Sequence, residues 1–577
     1  MPFKTIKFWM LFAFLNCLLF LPKYILEFND SSFLPTNSSS NDILTNVFNS
    51  IFIRYNFDIF RISIDLILLV TIFSLFQKYI NIKLYSWISA FYFTITFLFI
   101  IYFVFFEKLY LVKPVLYDDI YLLKLGFGNA IGNFWLGIII EFATLAIIIW
   151  MIKKMFFILY SLLKNIKFGI KSKIVFGIFG LLFICNTIRS GITFEPHHEF
   201  QSSIFLIIDN LVYSAQAREN LKSFDVGILN KKMNYDKFRL AKCPNVYFLF
   251  VESYGKIVTT NEKLKTQYQS TIKDCDDKLK AGGFYSCSNF STSPVSGGGS
   301  WISYSTVMFG FNLKNQATYL SLLKNSESYK YNHMFRWFKK NGYRNYRITA
   351  LPENENVKIP WDKYIDFYGA DKWLRYEDMN YKGQSYGFGP SPPDQFTISF
   401  ANQYIQNERK DPFTLFFITQ NSHHPFPSPD SVVIKWQSLN NSAGVKEQSS
   451  ELFKESSIEN YGKAINYDLK ALVNFITTKG KENDIFILIG DHQPPFFTIK
   501  TDGLETPVHI ISRDRRYISG FANYGFTEGL LVSAYHKSIK HEAFYSLFLR
   551  ELIHNYGTDT LDLPKYLPQG IQATDHE

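Results

Sequence analysis

Cysteine and charged residues are scarce in this chain of 577 residues, and glycine and proline are not abundant. It has 5 Cys, 31 Gly and 21 Pro, and Asp, Glu, Lys and Arg make up only 19% of it. So few cysteines exclude a small disulfide-framework protein, and the low glycine and proline content excludes a collagen-like repeat. A wholly disordered chain is excluded as well, because 47% of the residues are hydrophobic and 18% are aromatic.

Long apolar runs are present, and they are confined to the first third of the chain. About five occur, each near the ~20 residues that cross the hydrocarbon core of a bilayer. The sequence therefore predicts an all-α transmembrane bundle of about five helices. The runs lie near Phe8 to Leu26, Ile59 to Gln77, Leu84 to Phe106, Asn133 to Ile152 and Ile174 to Ile188.

The lysines of this part lie before the first run and in alternate loops. Because Lys and Arg in short loops stay cytoplasmic, an odd number of spans would deliver the rest of the chain to the outer face. The net charge of +10 is then mainly a topology signal, and no nucleic-acid partner is expected. The prediction is a multi-pass plasma (inner) membrane protein with an extracytoplasmic, periplasmic domain. The lysines are Lys4, Lys7, Lys78, Lys83, Lys153, Lys154, Lys164, Lys167, Lys171 and Lys173.

Three ionisable residues fall in or near these runs. Arg61 and Asp65 are four residues apart on one helix face, which favours an ion pair near the outer end of the span. Glu141 lies in the middle of the fourth run, where a carboxylate usually faces a bundle interior or a cavity. Its role is left open.

The composition changes at Pro244, and this change sets the domain boundaries. We expect a transmembrane domain at residues 1–192, an amphipathic connector at 193–242 and an α/β domain with a central mixed sheet at 243–577. The strongest strand candidates are Asn245 to Val251, Phe413 to Thr419 and Asp484 to Ile489. They are continuous apolar runs, as expected of strands buried on both faces. Of the cysteines in this domain, Cys243, Cys275 and Cys287, the last two are a plausible disulfide pair.

Polar residues follow each of these strands directly. Ligands of open α/β sheets bind beyond the carboxyl ends of the strands, so such residues are candidates for a site. Glu252 follows the first run, His423 and His424 follow the second, and Asp491 and His492 follow the third.

Two carboxylates and an imidazole at one sheet edge would repel each other or have no role unless a cation organised them. One divalent ion bound by Glu252, Asp491 and His492 satisfies all three, and the oxygen and nitrogen ligands suit Mn²⁺ or Zn²⁺, with Mg²⁺ possible. The alternative is that each residue only caps a strand. That is the weaker interpretation, because several strand ends carry such residues.

A glycine-rich turn precedes Ser300, in the sequence Ser293-Pro-Val-Ser-Gly-Gly-Gly-Ser300. Its backbone N–H groups can close on an anion, and Ser300 would begin a helix. A hydroxyl beside a metal ion loses its proton readily and can attack phosphorus or sulfur. The alternative is a plain N-cap serine, which would be the default without Glu252, Asp491 and His492.

The order of these motifs resembles the sulfatase-like, alkaline phosphatase superfamily. The preceding spans make the chain resemble, within it, lipoteichoic acid synthase-type phosphoglycerol transferases and phosphoethanolamine transferases. The resemblance implies a sulfatase-like catalytic domain with Glu252, Ser300, Asp491 and His492 as metal ligands and Ser300 also as the nucleophile. It implies a catalytic role for His423 on the substrate phosphate or the leaving group.

Substrate-binding positions also follow from the resemblance. Trp361 and Lys363 match a tryptophan and, two residues on, an arginine of the phosphoglycerol branch, and His424 would support the site. Lys363 replaces the planar guanidinium by a point charge, so phosphate recognition would be less strict. Ser300 stands where the headgroup transferases usually have threonine, and it lacks the Cys/Ser-x-Pro-x-Arg context of classical sulfatases.

The resulting hypothesis is metal-dependent transfer of a phospholipid headgroup phosphoester through a covalent phospho-Ser300 intermediate. The donor would be a membrane phospholipid of the phosphoglycerol or phosphoethanolamine type, and the acceptor an envelope glycan or lipid. Two alternatives stay open: a phosphodiesterase, phosphatase or other hydrolase that uses water, and a non-catalytic envelope-assembly protein.

Overall fold

The fold is described from a computed structural model of the full chain. The chain divides into two compact units, Met1–Lys108 with Lys113–Arg218, and Leu109–Val112 with Glu219–Glu577, and each is described by itself. The described residues are 3–26, 63–110, 114–116, 119, 134–165, 203–222, 226–232, 234–313, 315–324, 331–351, 361–386, 389, 391–408, 412–442, 457–498, 502–532 and 537–571.

The first unit is helical. Its apolar helices are α1 (Phe3–Leu26), α2 (Ile64–Phe76), α3 (Ile82–Tyr110) and α4 (Phe134–Asn165), and α5 (Ser203–Lys222) follows them. They coincide with four of the five predicted spans, whereas the fifth, near Ile174 to Ile188, lies outside the described residues. Within the described part of the chain, three helices are long and apolar enough to cross a membrane, and α2 is a shorter apolar helix. The predicted count of five is therefore only partly matched.

Aromatic packing forms the core of this unit. The ring of Tyr160 on α4 stacks on Phe73 of α2 and on Phe156, and its hydroxyl hydrogen-bonds with Ser89 of α3 at 2.7 Å. The predicted pair of Arg61 and Asp65 is not described as a pair, because Arg61 lies outside the described residues. Asp65 itself is buried, and the Glu141 side chain is likewise outside the described part.

The second unit is built around a mixed sheet of nine strands in the described residues. The order is β4-β3-β5-β1-β6-β7-β2-β8, with β9 paired to β2. The strands β4, β3, β5, β1 and β6 are parallel, and β7 runs antiparallel to both β6 and β2. The strands are β1 (Val246–Val251), β2 (Tyr285–Thr292), β3 (Arg344–Ile348), β4 (Lys372–Leu374), β5 (Phe413–Ile418), β6 (Ile485–Gly490), β7 (Glu505–Ser512), β8 (Thr527–Glu528) and β9 (Ile539–Lys540).

Helices cover both faces of the sheet and bury its apolar strands. One face packs on α8, α13 and α14 through residues such as Leu249, Tyr268 and Phe396. On the other face Phe248 contacts Phe338 of α11 and Phe548 of α16. The predicted α/β class with a central mixed sheet is confirmed. The helices of this unit are α6 (Val226–Lys232), α7 (Ile257–Thr260), α8 (Glu262–Ala281), α9 (Ser300–Phe309), α10 (Gln316–Lys324), α11 (Met334–Lys340), α12 (Trp361–Tyr368), α13 (Asp394–Glu408), α14 (Ile458–Lys479), α15 (Arg515–Gly520) and α16 (His541–Tyr556).

The disulfide suggested for Cys275 and Cys287 does not form, because both are free thiols. Cys275 lies on α8, in the core on the α8 and α14 face of the sheet. Cys287 is buried on β2, near Tyr517 of α15. The two thiols thus pack against different residues, although only a short stretch of sequence separates them.

Candidate active site

Two adjacent parallel strands bring the first two predicted ligands together. Val251 of β1 is in register with Gly490 of β6, so the residues that follow, Glu252 and Asp491, leave the sheet side by side. Both carboxylates are buried, with 3% and 0% of the residue exposed.

The backbone after β1 is shaped to hold these carboxylates. Ser253 has a positive φ of 57°, which is unusual for a residue other than glycine, and its N–H donates to Asp491 Oδ1 at 2.8 Å. The Glu252 N–H donates to Thr419 Oγ1 at 2.9 Å, which ties the end of β1 to the end of β5. Strained backbone of this kind concentrates at functional sites and persists only where the surrounding contacts hold it.

Ser300 reaches the same edge through β2 and the glycine turn. Since β2 is antiparallel to β7 and β7 is antiparallel to β6, β2 runs in the same direction as β6 and ends at the same edge. Gly297, Gly298 and Gly299 all have positive φ, and the turn lets α9 begin at Ser300. The half-buried Ser300 hydroxyl donates to Glu252 Oε2 at 2.9 Å.

The imidazole of His492 completes the cluster. Its Nδ1–H donates to the backbone oxygen of Gln493 at 2.8 Å, which directs Nε2 toward the other groups. Nε2 lies 3.2 Å from Ser300 Oγ. It is 3.3 Å from Glu252 Oε1 and 3.4 Å from Asp491 Oδ2.

The charges of the cluster are strongly coupled. Burial raises the pKa of Glu252, but the charge of His492 and its hydrogen bond outweigh burial and lower the pKa to about 2. Burial, followed by the charge of Glu252, holds the pKa of Asp491 well above its usual range. Burial lowers the pKa of His492, but the charges of Asp491 and Glu252 raise it to about 9. The His492 imidazolium is therefore a cation beside the ionised Glu252 carboxylate and the Asp491 side chain.

The residues fit a divalent metal ion. Glu252, Asp491 and His492 offer ligand atoms that all lie within 4.8 Å of one another. Asp491 Oδ2 is buried and has no hydrogen-bond donor among the described residues, so it is left for a cation. The spacings of 3.2 to 3.4 Å around His492 Nε2 match the edge of about 3.4 Å of a tetrahedron with ~2.1 Å metal–ligand bonds. The donor set suits Zn²⁺ or Mn²⁺.

The two histidines after β5 take different positions. His423 is half-buried, its Nδ1–H donates to the His424 backbone oxygen at 2.8 Å, and its charge acts on Glu252. The ring of His424 packs against Phe426 and Phe496, with centroids 5.5 and 5.1 Å apart. The structure thus places His423 toward the cluster and His424 in an aromatic contact.

Trp361 and Lys363 lie on α12, outside the cluster. The Trp361 ring contacts Trp373 edge to face at 5.0 Å, and the Arg375 guanidinium lies 5.6 Å from its centroid. Lys363 is exposed, and no hydrogen bond or ion pair within the described ranges joins it to Ser300 or to the carboxylates. Their substrate-binding role stays a prediction.

Several residues that support the site were not found from the sequence. Ser293 Oγ and Ser303 Oγ both donate to the backbone oxygen of Asp491, at 2.6 and 2.5 Å. The Tyr461 hydroxyl donates to the Ser253 backbone oxygen at 2.9 Å. Serine and tyrosine are common residues, and no spacing in the sequence distinguishes these three from the others.

A buried pair of acids lies under the turn that leads to His423. Asp394, the first residue of α13, accepts from the N–H groups of Gln420 and Asn421, and Asn421 Oδ1 accepts from the Asp394 N–H. Asp468 of α14 lies next to Asp394, and both are fully buried. Burial, followed by the charge of Asp468, raises the pKa of Asp394 well above its usual range, and burial raises the pKa of Asp468 to about 7.

This pair predicts a stability that falls as the pH rises. Between the unfolded pKa of about 4 and the folded pKa of about 7, the folded state binds more protons than the unfolded state, so the free energy of unfolding decreases with pH. Asp468→Asn removes the ionisable group at position 468. We expect it to raise the thermal midpoint by several degrees at pH 8 and to change it little at pH 5, measured by thermal unfolding of the full chain in detergent.

A control is available in Asp430, an exposed carboxylate of the same unit. Asp430→Asn should leave the midpoint and its pH dependence unchanged within a degree or so. An Asp468→Asn variant with the same loss of stability between pH 5 and pH 8 as the natural chain would contradict the assignment of this pH dependence to the pair.

Together these elements define an α/β domain with a candidate divalent-metal centre at the carboxyl edge of its sheet. The sulfatase family model matches residues 244–524. This confirms the resemblance inferred from the motifs at the level of a sulfatase-family domain, and apolar helices precede that domain. A domain of this family indicates a hydrolase or a transferase.

Solved structures that match this chain include lipooligosaccharide phosphoethanolamine transferase A from Neisseria meningitidis, with 11% identity, a TM-score of 0.42 and coverage of 94% of this chain and 95% of that one. The lipoteichoic acid synthase LtaP from Listeria monocytogenes has 14% identity and a TM-score of 0.36 over 60% of this chain and 81% of that one. The phosphoglycerol transferase GacH of Streptococcus pyogenes has 13% identity and a TM-score of 0.34 over 59% and 80%. No curated protein matches the chain in sequence.

Proposed function

We propose that the protein transfers a phospholipid headgroup phosphoester, of the phosphoglycerol or phosphoethanolamine type, to an envelope glycan or lipid through a phospho-Ser300 intermediate. The observation that supports it most strongly is the position of the Ser300 hydroxyl. Ser300 is the first residue of α9, and its hydroxyl donates to Glu252 and lies beside His492. Ser300 is half-buried, whereas Glu252, Asp491 and His492 are buried.

In the first step Ser300 Oγ attacks the phosphorus of the lipid phosphodiester. Its proton leaves along the hydrogen bond to Glu252, and the P–O bond to diacylglycerol breaks. A divalent ion held by Glu252, Asp491, His492 and Ser300 would supply Lewis acidity that favours the ionised hydroxyl. The N-terminus of α9 and the glycine turn favour the negative charge that develops on the phosphoryl oxygens.

His423 is the proposed proton donor to the leaving diacylglycerol oxygen. The bond from its Nδ1–H to the His424 carbonyl fixes the ring, so Nε2 is the nitrogen that exchanges the proton. In the second step an acceptor hydroxyl attacks the phospho-serine, His423 takes its proton, and Ser300 Oγ leaves and is protonated again. Trp361 and Lys363 would contact the headgroup and its phosphate, with His424 supporting His423.

The topology is part of the proposal. Residues 1–192 would anchor the chain in the plasma (inner) membrane, and residues 243–577 would act on the extracytoplasmic side. Residues 193–242 would connect these two parts. Tethering the domain to a membrane fits a lipid donor, because it replaces free diffusion by a high local concentration.

The experiment incubates the full chain in detergent with phosphatidylglycerol or phosphatidylethanolamine labelled in the headgroup. We expect diacylglycerol release that requires Mn²⁺ or Zn²⁺ and stops with EDTA. Label that passes to a glycan or lipid acceptor supports the transferase, whereas label released as a free headgroup phosphate supports the hydrolase. No diacylglycerol with either lipid and any of Mn²⁺, Zn²⁺ and Mg²⁺ would contradict the proposed function.

A further inference from the structure

A groove runs along one face of α14, under the loop that follows His423. It consists of two adjoining cavities of about 460 and 430 Å³, and they share Asp430, Ser431, Val432 and Lys470. We call it the α14 groove. Its volume is in the range of small-molecule sites.

The floor of the groove is one helical face. Asn460, Lys463, Tyr467 and Lys470 occur at intervals of three and four residues along α14, so their side chains share a face. The loop that begins with Pro425 and Phe426 forms the opposite wall, and Gln267 of α8 lies at one side. Proline and aromatic rings therefore face a row of amide and ammonium groups.

Two observations show that the groove has unused binding capacity. Asn466 lines the first cavity, is 6% exposed, and its Oδ1 has no hydrogen-bond partner among the described residues. A buried acceptor without a donor is unfavourable, and a ligand hydroxyl would satisfy it. Lys463 and Lys470 line the same cavity, and neither forms an ion pair with a carboxylate in the part of the chain that the structure describes.

The groove adjoins the proposed active site. Its lining residues Pro425 and Phe426 come directly after His423 and His424. The Phe426 ring packs on Tyr461 with centroids 5.2 Å apart, and the Tyr461 hydroxyl donates to the backbone of Ser253, next to Glu252. A ligand in the groove would thus lie against the same segment that carries the proposed proton donor.

We propose that the α14 groove binds a phosphate-bearing sugar or polyol. Lys463 and Lys470 would hold the phosphate, Asn466 Oδ1 would accept from a hydroxyl, and the partly exposed Pro425 and Pro427 would pack on the apolar face of the sugar. The identification of this ligand as the acceptor of the transfer reaction rests on the proposed function, whereas the binding itself does not.

The test measures binding to the full chain in detergent by calorimetry. The probe is glucose 6-phosphate. Glucose and inorganic phosphate, each of which represents one part of the probe, are measured for comparison. The protein carries Ser300→Ala and is treated with EDTA, so that neither turnover nor the metal centre contributes. We expect glucose 6-phosphate to bind more tightly than either glucose or inorganic phosphate, and the double variant Lys463→Ala/Lys470→Ala to weaken binding at least about tenfold.

Two further variants make the test specific. Lys479→Ala removes an exposed lysine from the end of the same helix, outside the cavities, and should leave binding unchanged. Asn466→Ala should weaken glucose 6-phosphate and glucose but not inorganic phosphate. Binding that survives the double lysine variant, inorganic phosphate that binds as tightly as glucose 6-phosphate, or no binding at all would each overturn the proposal. A failure to cleave lipid would leave these results unaffected, so the two failures are distinguishable.

Discussion

Replacing Ser300 by alanine is expected to lower the rate of diacylglycerol release by about 10⁴-fold or more, without unfolding the protein. The hydroxyl is the group that would form the covalent bond to phosphorus, whereas Glu252 and His492, which both contact it, would be occupied as metal ligands. The measurement is single-turnover release of diacylglycerol from labelled phosphatidylglycerol or phosphatidylethanolamine in the presence of Mn²⁺ or Zn²⁺.

Two variants separate the chemistry from the structure. Ser300→Thr keeps a hydroxyl on the same carbon, in reach of Glu252 and His492, and should retain activity within roughly tenfold. Ser305→Ala removes a hydroxyl from the same helix, one that hydrogen-bonds with Tyr368 at 2.8 Å and does not touch the cluster. It should cost about 1 kcal/mol of stability and little activity.

The intermediate can be sought directly. Intact mass analysis of the natural chain, quenched during turnover, should show an added headgroup phosphate on Ser300 that is absent from Ser300→Ala. Diacylglycerol release by Ser300→Ala at a rate similar to that of the natural chain would show that another group is the nucleophile.

The grouping of Glu252, Asp491 and His492 could be predicted, because the strands that precede these residues are marked by local apolar runs. The runs that end at Val251 and Gly490 are apolar without interruption, so both had to be buried parallel strands, and such strands deliver the residues that follow to one edge. That β1 and β6 are neighbours, which puts Glu252 against Asp491, was not encoded in either run.

The groups that hold the cluster could not be predicted, because their contacts depend on the order of strands far apart in sequence. Ser293 and Ser303 reach the Asp491 backbone only because β2 returns to the sheet beyond β7. Asp394 and Asp468 are brought together by α13 and α14 packing under the β5 turn. No local period marks any of these pairs.

In the helical unit, hydropathy predicted where helices occur better than where they begin. The run from Ile59 predicts a full span, whereas α2 begins at Ile64, because the Ser63 hydroxyl caps it by accepting from the Leu66 N–H at 3.3 Å. Asn16 of α1 accepts the Ser63 N–H at 2.7 Å, so a contact between helices fixes this start. A capping contact of this kind has no hydropathy signal.

Asp491→Asn is expected to weaken metal binding at least about 100-fold and, at the same time, to stabilise the metal-free protein. The carboxylate is fully buried, lies beside Glu252, and leaves Oδ2 without a hydrogen-bond donor in the described ranges. An amide removes a buried ionisable group, whose pKa burial and the charge of Glu252 raise, at nearly constant volume, so the midpoint of thermal unfolding without metal should rise by a few degrees.

Added metal should have the opposite effect on the comparison, because it should stabilise the natural chain much more than Asp491→Asn. In the natural chain, a metal ion at about 100 times its Kd should add about 2.7 kcal/mol to the free energy of unfolding. The loss of one ligand should reduce the affinity at least about 100-fold, so that the same concentration of Mn²⁺ or Zn²⁺ adds at most about 0.4 kcal/mol to the free energy of unfolding of Asp491→Asn.

Glu482→Gln is the matched control, because Glu482 is an exposed carboxylate just before β6, at the end of that strand opposite Asp491. It should keep the full metal response and the midpoint of the natural chain. If Asp491→Asn instead lowers the midpoint without metal and keeps the metal response, Asp491 is a structural acceptor for the Ser253 N–H, and the metal ion must be held without it.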